Sequence, residues 1–327
     1  MKLLEYILHF FNEYGISRLV TQIESKLYNL CRSVILEKYN ITCILDERSA
    51  GYVTIGMYEE SEIPILLVVD EVNMRNIAPA ITEAFYRKFP IIIISITNRT
   101  LNNSQYPHDM FKSINRIDSS MNQKQIDSML KDSVHQLDLK GGGPIMLCIN
   151  DDNNNIITNS DTTNINYTYR HGYTMPSTSI YSNKIKNILK NLDYPNVYFY
   201  IDTQLLSDDV LGTTTINKVE FNSGIYSEEG LLSVMIGSSY VSHAKQFVFI
   251  GTASSIMREI NVLGNRHITN NISVCIVDNN KNYSTTLAET CKTWGYTIYN
   301  ISIDGQFDNI KKNIISNTIG PNIIIIQ

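Results

Sequence analysis

Charge is scarce in this chain: only 18% of its 327 residues are Asp, Glu, Lys or Arg, against ~25% in an average globular protein. That argues against a disordered acidic tail. Long hydrophobic runs are missing too. None reaches the ~20 residues that cross a bilayer, and the longest (63–69, 89–96 and 323–326) have the length of buried strands. Cysteine is sparse and unpatterned. Cys31, Cys43, Cys148, Cys275 and Cys291 are odd in number and form no CxxC, so buried thiols in a reducing, cytoplasm-like compartment are expected rather than disulfides or a zinc site. A cationic excess is absent as well: the net charge of -5 argues against a nucleic-acid groove as the main function. There is no GxSxG elbow, the glycines at 141–143 are not followed by GK[ST], and the six His show no metal-like spacing.

What the chain has in abundance is Ile and Asn, 48 and 35 residues respectively. AT-rich coding DNA produces that pairing, yet it has a structural consequence. Ile favours strands and Asn favours turns, so many short strands joined by tight loops are expected. The length suits two domains, each with its own core. The opening MKLLEYILHFFNEYG carries Glu5 and His9 inside its apolar stretch and reads as an amphipathic helix rather than a signal peptide. Leu19, Ile23, Leu27, Leu30 and Ile35 recur at helical spacing and predict a second helix after a break at Gly15.

From residue 41 onward the pattern alternates. Strands are expected at 41–45, 63–69 and 90–96, with a helix opening at Asp46 and another over 77–87. Continuous β-branched runs mark strands buried on both faces of a parallel sheet. This half closes with GGGPIMLCIN (141–150). Residues 151–183 are rich in Asn, Ser and Thr with little periodicity and read as a linker, in which Tyr167, Tyr169 and Tyr173 are local anchors or partner contacts. Alternation then resumes, with strands at 197–201, 246–250, 272–277 and 296–301 and helices over 229–241, 254–263, 285–294 and 307–316. The final IGPNIIIIQ (319–327) echoes GGGPIMLCIN, which suggests a duplicated α/β unit.

These residues resemble the thiamine-diphosphate-dependent enzyme superfamily, in particular acetolactate synthase and the menaquinone-pathway succinyl-enolpyruvyl-hydroxycyclohexene-carboxylate synthase. ILDERSAGYVTIGMYEESEIPILLVV (44–69) and IAPAITEAFYRKFPIIIISITNRT (77–100) resemble the family's pyrimidine-binding domain. SGIYSEEGLLSVMIGSSYVSHAKQFVFIGTASSI (223–256) resembles the entrance to its diphosphate-binding domain. The family signature there is GDG, followed further on by NN. This chain has Gly251-Thr252-Ala253 and then, twenty-five residues later, Asn279-Asn280. The resemblance implies an α/β fold of two mainly parallel sheets with helices on both faces. It divides the chain into a pyrimidine-binding-like domain (1–150), a linker (151–183) and a diphosphate-binding-like domain (184–327), with the family's middle domain missing.

The resemblance also implies a chemistry and shows where this sequence departs from it. The carboxylate that activates the cofactor's aminopyrimidine would be Glu47 of DERSA. Thiamine diphosphate would rest on Gly251, Thr252, Asn279 and Asn280. Its magnesium would need a carboxylate, yet Thr252 stands where the family has Asp, leaving Asn280 and Asp278 as candidate ligands. DEVNMRN (70–76), with Asp70, Glu71 and Arg75, replaces a small Gly/Thr/Ser loop. Only KNYS separates Asn280 from the next expected helix, where relatives have a long covering segment. The expectation is therefore a fold kept without its reaction: a degenerate homologue with no cofactor, acting as a structural, scaffold or regulatory protein, of viral or other AT-rich origin. The alternative is an active lyase or carboligase acting on a 2-oxo acid. Because the family's domains pair across subunits, the resemblance also implies a homodimer or dimer of dimers, with no membrane or nucleic-acid partner.

Overall fold

Strands as uniformly apolar as these need cover on both faces, and the architecture supplies it. The computed structural model describes residues 3–22, 38–97, 108–138, 142–150, 181–207, 210, 219–220, 229–265, 268–278, 281–302, 307–316 and 320–326. Its first half contains α1 (Leu3–Glu13), β1 (Arg18–Gln22), β2 (Asn40–Ile44), α2 (Glu47–Ser61), β3 (Leu66–Asp70), α3 (Met74–Arg87), β4 (Ile92–Thr97), β5 (Ser113–Asp118), α4 (Gln123–Asp138) and β6 (Ile145–Asn150). Its second half contains α5 (Ser182–Asn191), β7 (Val197–Ile201), β8 (Val219–Glu220), α6 (Leu231–Val241), β9 (Gln246–Gly251), α7 (Ala253–Arg258) and α8 (Ile260–Leu263). It ends with β10 (Ile272–Ile276), α9 (Lys281–Thr293), β11 (Thr297–Ile301), α10 (Asp308–Ser316) and β12 (Asn322–Ile326).

Each half forms one six-stranded sheet, ordered β2-β1-β3-β4-β6-β5 and β11-β12-β10-β9-β7-β8. All neighbouring strands are parallel. Taken from its other edge, the second sheet runs β8-β7-β9-β10-β12-β11, the first sheet's order with every strand number raised by six. One topology is used twice, as a duplicated unit requires. Both β6 and β12 follow a Gly-Pro step.

The strand side chains divide between layers. Leu67, Val69 and Ile93 face a shared inner core, while Leu66, Val68, Ile92 and Ile94 face an outer one with α1 and α4. In β12, Ile323 and Ile325 face the inner core, and Ile324 and Ile326 pack with α5 and α10. The inner core also takes in α2, α3, α6 and α9, so it lies between the two sheets. The alternation of faces is why β-branched residues can follow one another without interruption.

Several boundaries differ from the sequence pattern. Leu19 belongs to strand β1 rather than to a helix, because the segment pairs between β2 and β3. The rest of that expected helix, 23–37, lies outside the described residues. Ile63 is exposed, in the turn before β3. The helix expected over 254–263 is split at Glu259 into α7 and α8. KNYS is not a connector; it forms the first turn of α9. Residues 151–180, and with them Tyr167, Tyr169 and Tyr173, lie outside the described residues.

The halves meet where α2 crosses α6. A Cβ placed on Gly56 would overlap the Val234 carbonyl, and one on Gly237 would overlap the Val53 carbonyl. The helices therefore touch backbone to backbone. Ser238 Oγ donates to Gly56 O at 3.1 Å and is met by Tyr200 OH at 2.9 Å. Gly56→Ala or Gly237→Ala should each lower stability by about 3 kcal/mol, the upper end of ordinary overpacking, measured by urea unfolding. Gly143→Ala is the control, since its Cβ would meet nothing nearer than Lys112 Cβ at 4.0 Å, and it should stay within about 0.5 kcal/mol.

Candidate functional site

In a parallel α/β sheet, ligands sit beyond the carboxyl ends of the strands, and Glu47, Gly251, Thr252 and Asp278 lie at such ends. Asp46 follows β2 and caps α2, its Oδ1 accepting from Ser49 N at 2.8 Å. Glu47 is the first residue of that helix, where the dipole favours an anion. Both of its carboxylate oxygens are engaged within the first half. Asn73 Nδ2 donates to Oε1 at 2.6 Å, and Asn76 Nδ2 donates to Oε2 at 3.3 Å. The charged segment 70–76 thus turns into a short 3-10 turn and the start of α3, with two amides laid against Glu47.

At the carboxyl edge of the second sheet, Gly251 ends β9 and Thr252 caps α7. Thr252 Oγ1 accepts from Ser255 N at 3.2 Å, while Ser255 Oγ accepts from Thr252 N at 3.1 Å. This reciprocal capping box leaves the threonine serving the helix. Asp278, just beyond β10, accepts from Ala253 N at 3.1 Å and from Ser284 Oγ at 3.4 Å. Nearby, the buried Lys184 Nζ donates to Val277 O at 3.0 Å and Ile326 O at 2.9 Å, capping the ends of β10 and β12. Burial pulls its pKa down, and Asp278 opposes that shift.

Magnesium requires oxygen ligands near octahedral geometry, ordinarily with a carboxylate among them. Among the described residues no group of three or more His, Cys, Asp or Glu side chains is placed to hold a metal ion. The Thr252 hydroxyl is a neutral donor already committed to its helix, and Asp278 already accepts from the backbone at this turn. The donor set described at this edge does not fit a divalent metal carrying a diphosphate. Asn279 and Asn280 lie outside the described residues.

Between the halves, a cleft of about 250 Å³ is lined by Asp46, Arg48, Ser49 and Tyr52 on one side and by Gly230, Ser233, Arg258, Glu259 and Asn261 on the other. Arg48 forms an ion pair with Glu229 across it. Glu259 takes three donors at the start of α6: Gly230 N at 2.7 Å, Ser233 N at 2.9 Å and Ser233 Oγ at 2.7 Å. Burial raises its pKa, against the pull of those hydrogen bonds. Gly230 has φ 97°, and a Cβ there would run into the Tyr52 ring, so only glycine serves this turn.

Residues 1–125 match the family model described as thiamine pyrophosphate enzyme, N-terminal TPP binding domain. Over the whole chain the fold is that of the thiamine diphosphate-dependent 4-hydroxybenzoylformate decarboxylase of Rhodococcus jostii RHA1, with a TM-score of 0.68 at 8% identity, covering 100% of this chain and 98% of that one. The first 125 residues are thus similar to that family's N-terminal domain, and the chain as a whole shares the fold of a thiamine diphosphate-dependent enzyme. Among curated members, 2-succinyl-5-enolpyruvyl-6-hydroxy-3-cyclohexene-1-carboxylate synthase of Cytophaga hutchinsonii is 37% identical over 60 residues, 18% of this chain and 11% of the relative. The Porphyromonas gingivalis enzyme of the same name is 35% identical over 94 residues, 27% of this chain and 16% of the relative. The chain therefore matches only a small part of the length of either superfamily relative.

Of the sequence-predicted site residues, Gly251, Thr252 and Asp278 come together at one turn, whereas Glu47 is tied within the other half. The amides of Asn73 and Asn76, the Arg48–Glu229 pair and the Glu259 cap escaped the sequence reading. Each joins residues distant in the chain, and none leaves a periodic signal. If Glu47 is a structural tie, Glu47→Gln should cost stability, because one acceptor becomes a donor facing another amide. A loss of about 1–2 kcal/mol is expected in urea unfolding. An unchanged or more stable variant would show that the tie carries no weight.

Proposed function

We propose that this chain is a catalytically degenerate member of the thiamine-diphosphate-dependent enzyme superfamily, a structural, scaffold or regulatory protein without a resident thiamine diphosphate. In this reading residues 1–150 and 184–327 are the pyrimidine- and diphosphate-binding-like domains, joined by 151–183. The observation that carries it is Glu47: both oxygens of the carboxylate that would meet the cofactor ring are held by the chain's own amides. The second half adds support. Thr252 brings no charge, and Asp278 already occupies the backbone donor of Ala253. An incoming diphosphate would meet a carboxylate there instead of a free N–H, and like charges at hydrogen-bond range repel.

The proposal includes a homodimer as the assembled form. The α2 and α6 faces cover each other within one chain, so a second copy would use other surface. Leu45 and Val72, 43% and 72% exposed, leave apolar area on the strand-end edge of the first sheet. No helix among the described residues is long and apolar enough to cross a membrane.

Calorimetric titration with thiamine diphosphate and magnesium tests the cofactor claim. No heat of binding is expected at about 1 mM cofactor, which corresponds to less than about 4 kcal/mol of affinity. Micromolar binding abolished by Glu47→Gln would instead establish the active reading, a lyase or carboligase with Glu47 as its activating carboxylate. Light scattering after size exclusion should give twice the monomer mass of 37.2 kDa; a monomer at all concentrations removes the dimer from the proposal.

A further inference from the structure

The cleft between the halves contains more polar groups than the fold consumes. Tyr52 is only 4% exposed and Ser49 6%. Both line the cleft on the same side of α2, three residues apart and so on one helical face. Neither hydroxyl has a hydrogen-bond partner among the described residues. Both oxygens open onto the cleft, so water or a ligand there must supply their partners. Asp46 adds to the deficit: one oxygen caps the helix, while Oδ2 is buried with no partner.

The charges of the walls select what could complete this network. Asp46 and Glu259 are acidic, Arg48 and Arg258 basic, and Glu229 stands at the rim against Arg48. With Arg48 and Glu229 paired to each other, a simple anion would still meet Asp46 and Glu259, and a simple cation would still meet Arg258. A small molecule carrying both signs can turn each end to its opposite. The volume of about 250 Å³ lies below the ~300–1,000 Å³ of drug-sized pockets, which limits the occupant to a small metabolite. Burial raises the Tyr52 pKa, and Glu259 adds to the shift, so the phenol remains a neutral donor. The cleft lies at the far end of α7 from Thr252 and Asp278. Six helical residues separate them, about 9 Å of rise, so this is not the turn a diphosphate would use.

We propose that the cleft binds a free α-amino acid. Its ammonium lies toward Asp46, its carboxylate toward Arg258 and Arg48, and the Tyr52 and Ser49 hydroxyls supply the remaining hydrogen bonds. Because its walls come from α2 on one side and from α6 and α7 on the other, the ligand would tie the halves together and stabilise the folded chain by mass action. This site does not depend on whether thiamine diphosphate binds.

The test uses the full chain and a panel of the twenty amino acids, with acetate and methylamine as single-charge controls, read by calorimetry and thermal unfolding. At least one amino acid should bind saturably and raise Tm, and neither control should. Asp46→Asn keeps a good helix cap and removes the charge, so it should weaken binding at least tenfold. Tyr52→Phe keeps the ring on Gly230 and should weaken it about fivefold to tenfold. Three results would overturn the proposal: no amino acid binding up to about 10 mM, a control binding as tightly as the amino acid, or full binding retained in both variants.

Discussion

The close crossing of α2 and α6 is the constraint on which the remaining geometry depends. Two glycines, Gly56 and Gly237, let the helices touch at their backbones. Val53, Met57, Val234 and Met235 then fill the space between the sheets. Charged groups beside the crossing fix its register. Lys245 Nζ reaches across to Glu60 at 2.5 Å, and Arg87, anchored within the first half by Glu83 at 2.7 Å and Glu59 at 3.4 Å, lies 4.0 Å from Glu220 of the second. Buried pairs of this kind add little net stability over apolar packing, but breaking one strands a charge. Their effect is to exclude other ways of docking the halves. With the helices fixed at this depth, the start of α2 faces the start of α6, and Asp46, Glu47 and Arg48 take their positions from that.

A binding site that loses its ligand cannot simply be left open. Every buried donor and acceptor the ligand satisfied needs a new partner, or the fold bears an unpaired group at about 1–3 kcal/mol each. On the proposed degenerate reading, the polar groups at the two strand-end edges follow that rule. Asn73 and Asn76 supply donors to Glu47, Asp278 supplies an acceptor to Ala253 N, and Lys184 covers the last carbonyls of β10 and β12. On the same reading Thr252 belongs to this pattern, since its side chain closes a helix end with Ser255.

Strands β3, β4, β10 and β12 were legible in the sequence because sheets covered on both faces select unbroken β-branched runs, and such runs are rare by chance. The cap at Asp46 was legible because a helix start is chemistry confined to a few residues. Strand β1 was not. Leu19 fits a helical spacing with Ile23 and Leu27, and only its pairing with β2 and β3, residues far along the chain, overrides that pattern. Strand β5 gave no signal, since SINRID at a sheet edge is mostly half-buried and polar. The site divides in the same way. Thr252 could be read against a family motif, but Asn73 reaching Glu47 across twenty-six residues, and Glu259 capping α6 across twenty-nine, are products of the folded state.

The repeated topology sharpens what remains open. Two copies of one sheet order place two carboxyl-end edges on the molecule, and in each copy the chain ties its own polar groups. The first closes Glu47 with Asn73 and links Asn150 to Asp118 at 3.2 Å. The second closes Asp278 and Lys184. Neither repeat can close the space where it meets the other, because that space exists only once the halves have docked. Tyr52 and Ser49 come from one repeat and Glu259 and Arg258 from the other, and local sequence in either cannot anticipate its opposite. Unpartnered hydroxyls at such a seam are therefore where a duplicated fold would hold a ligand that neither repeat's own edge provides for.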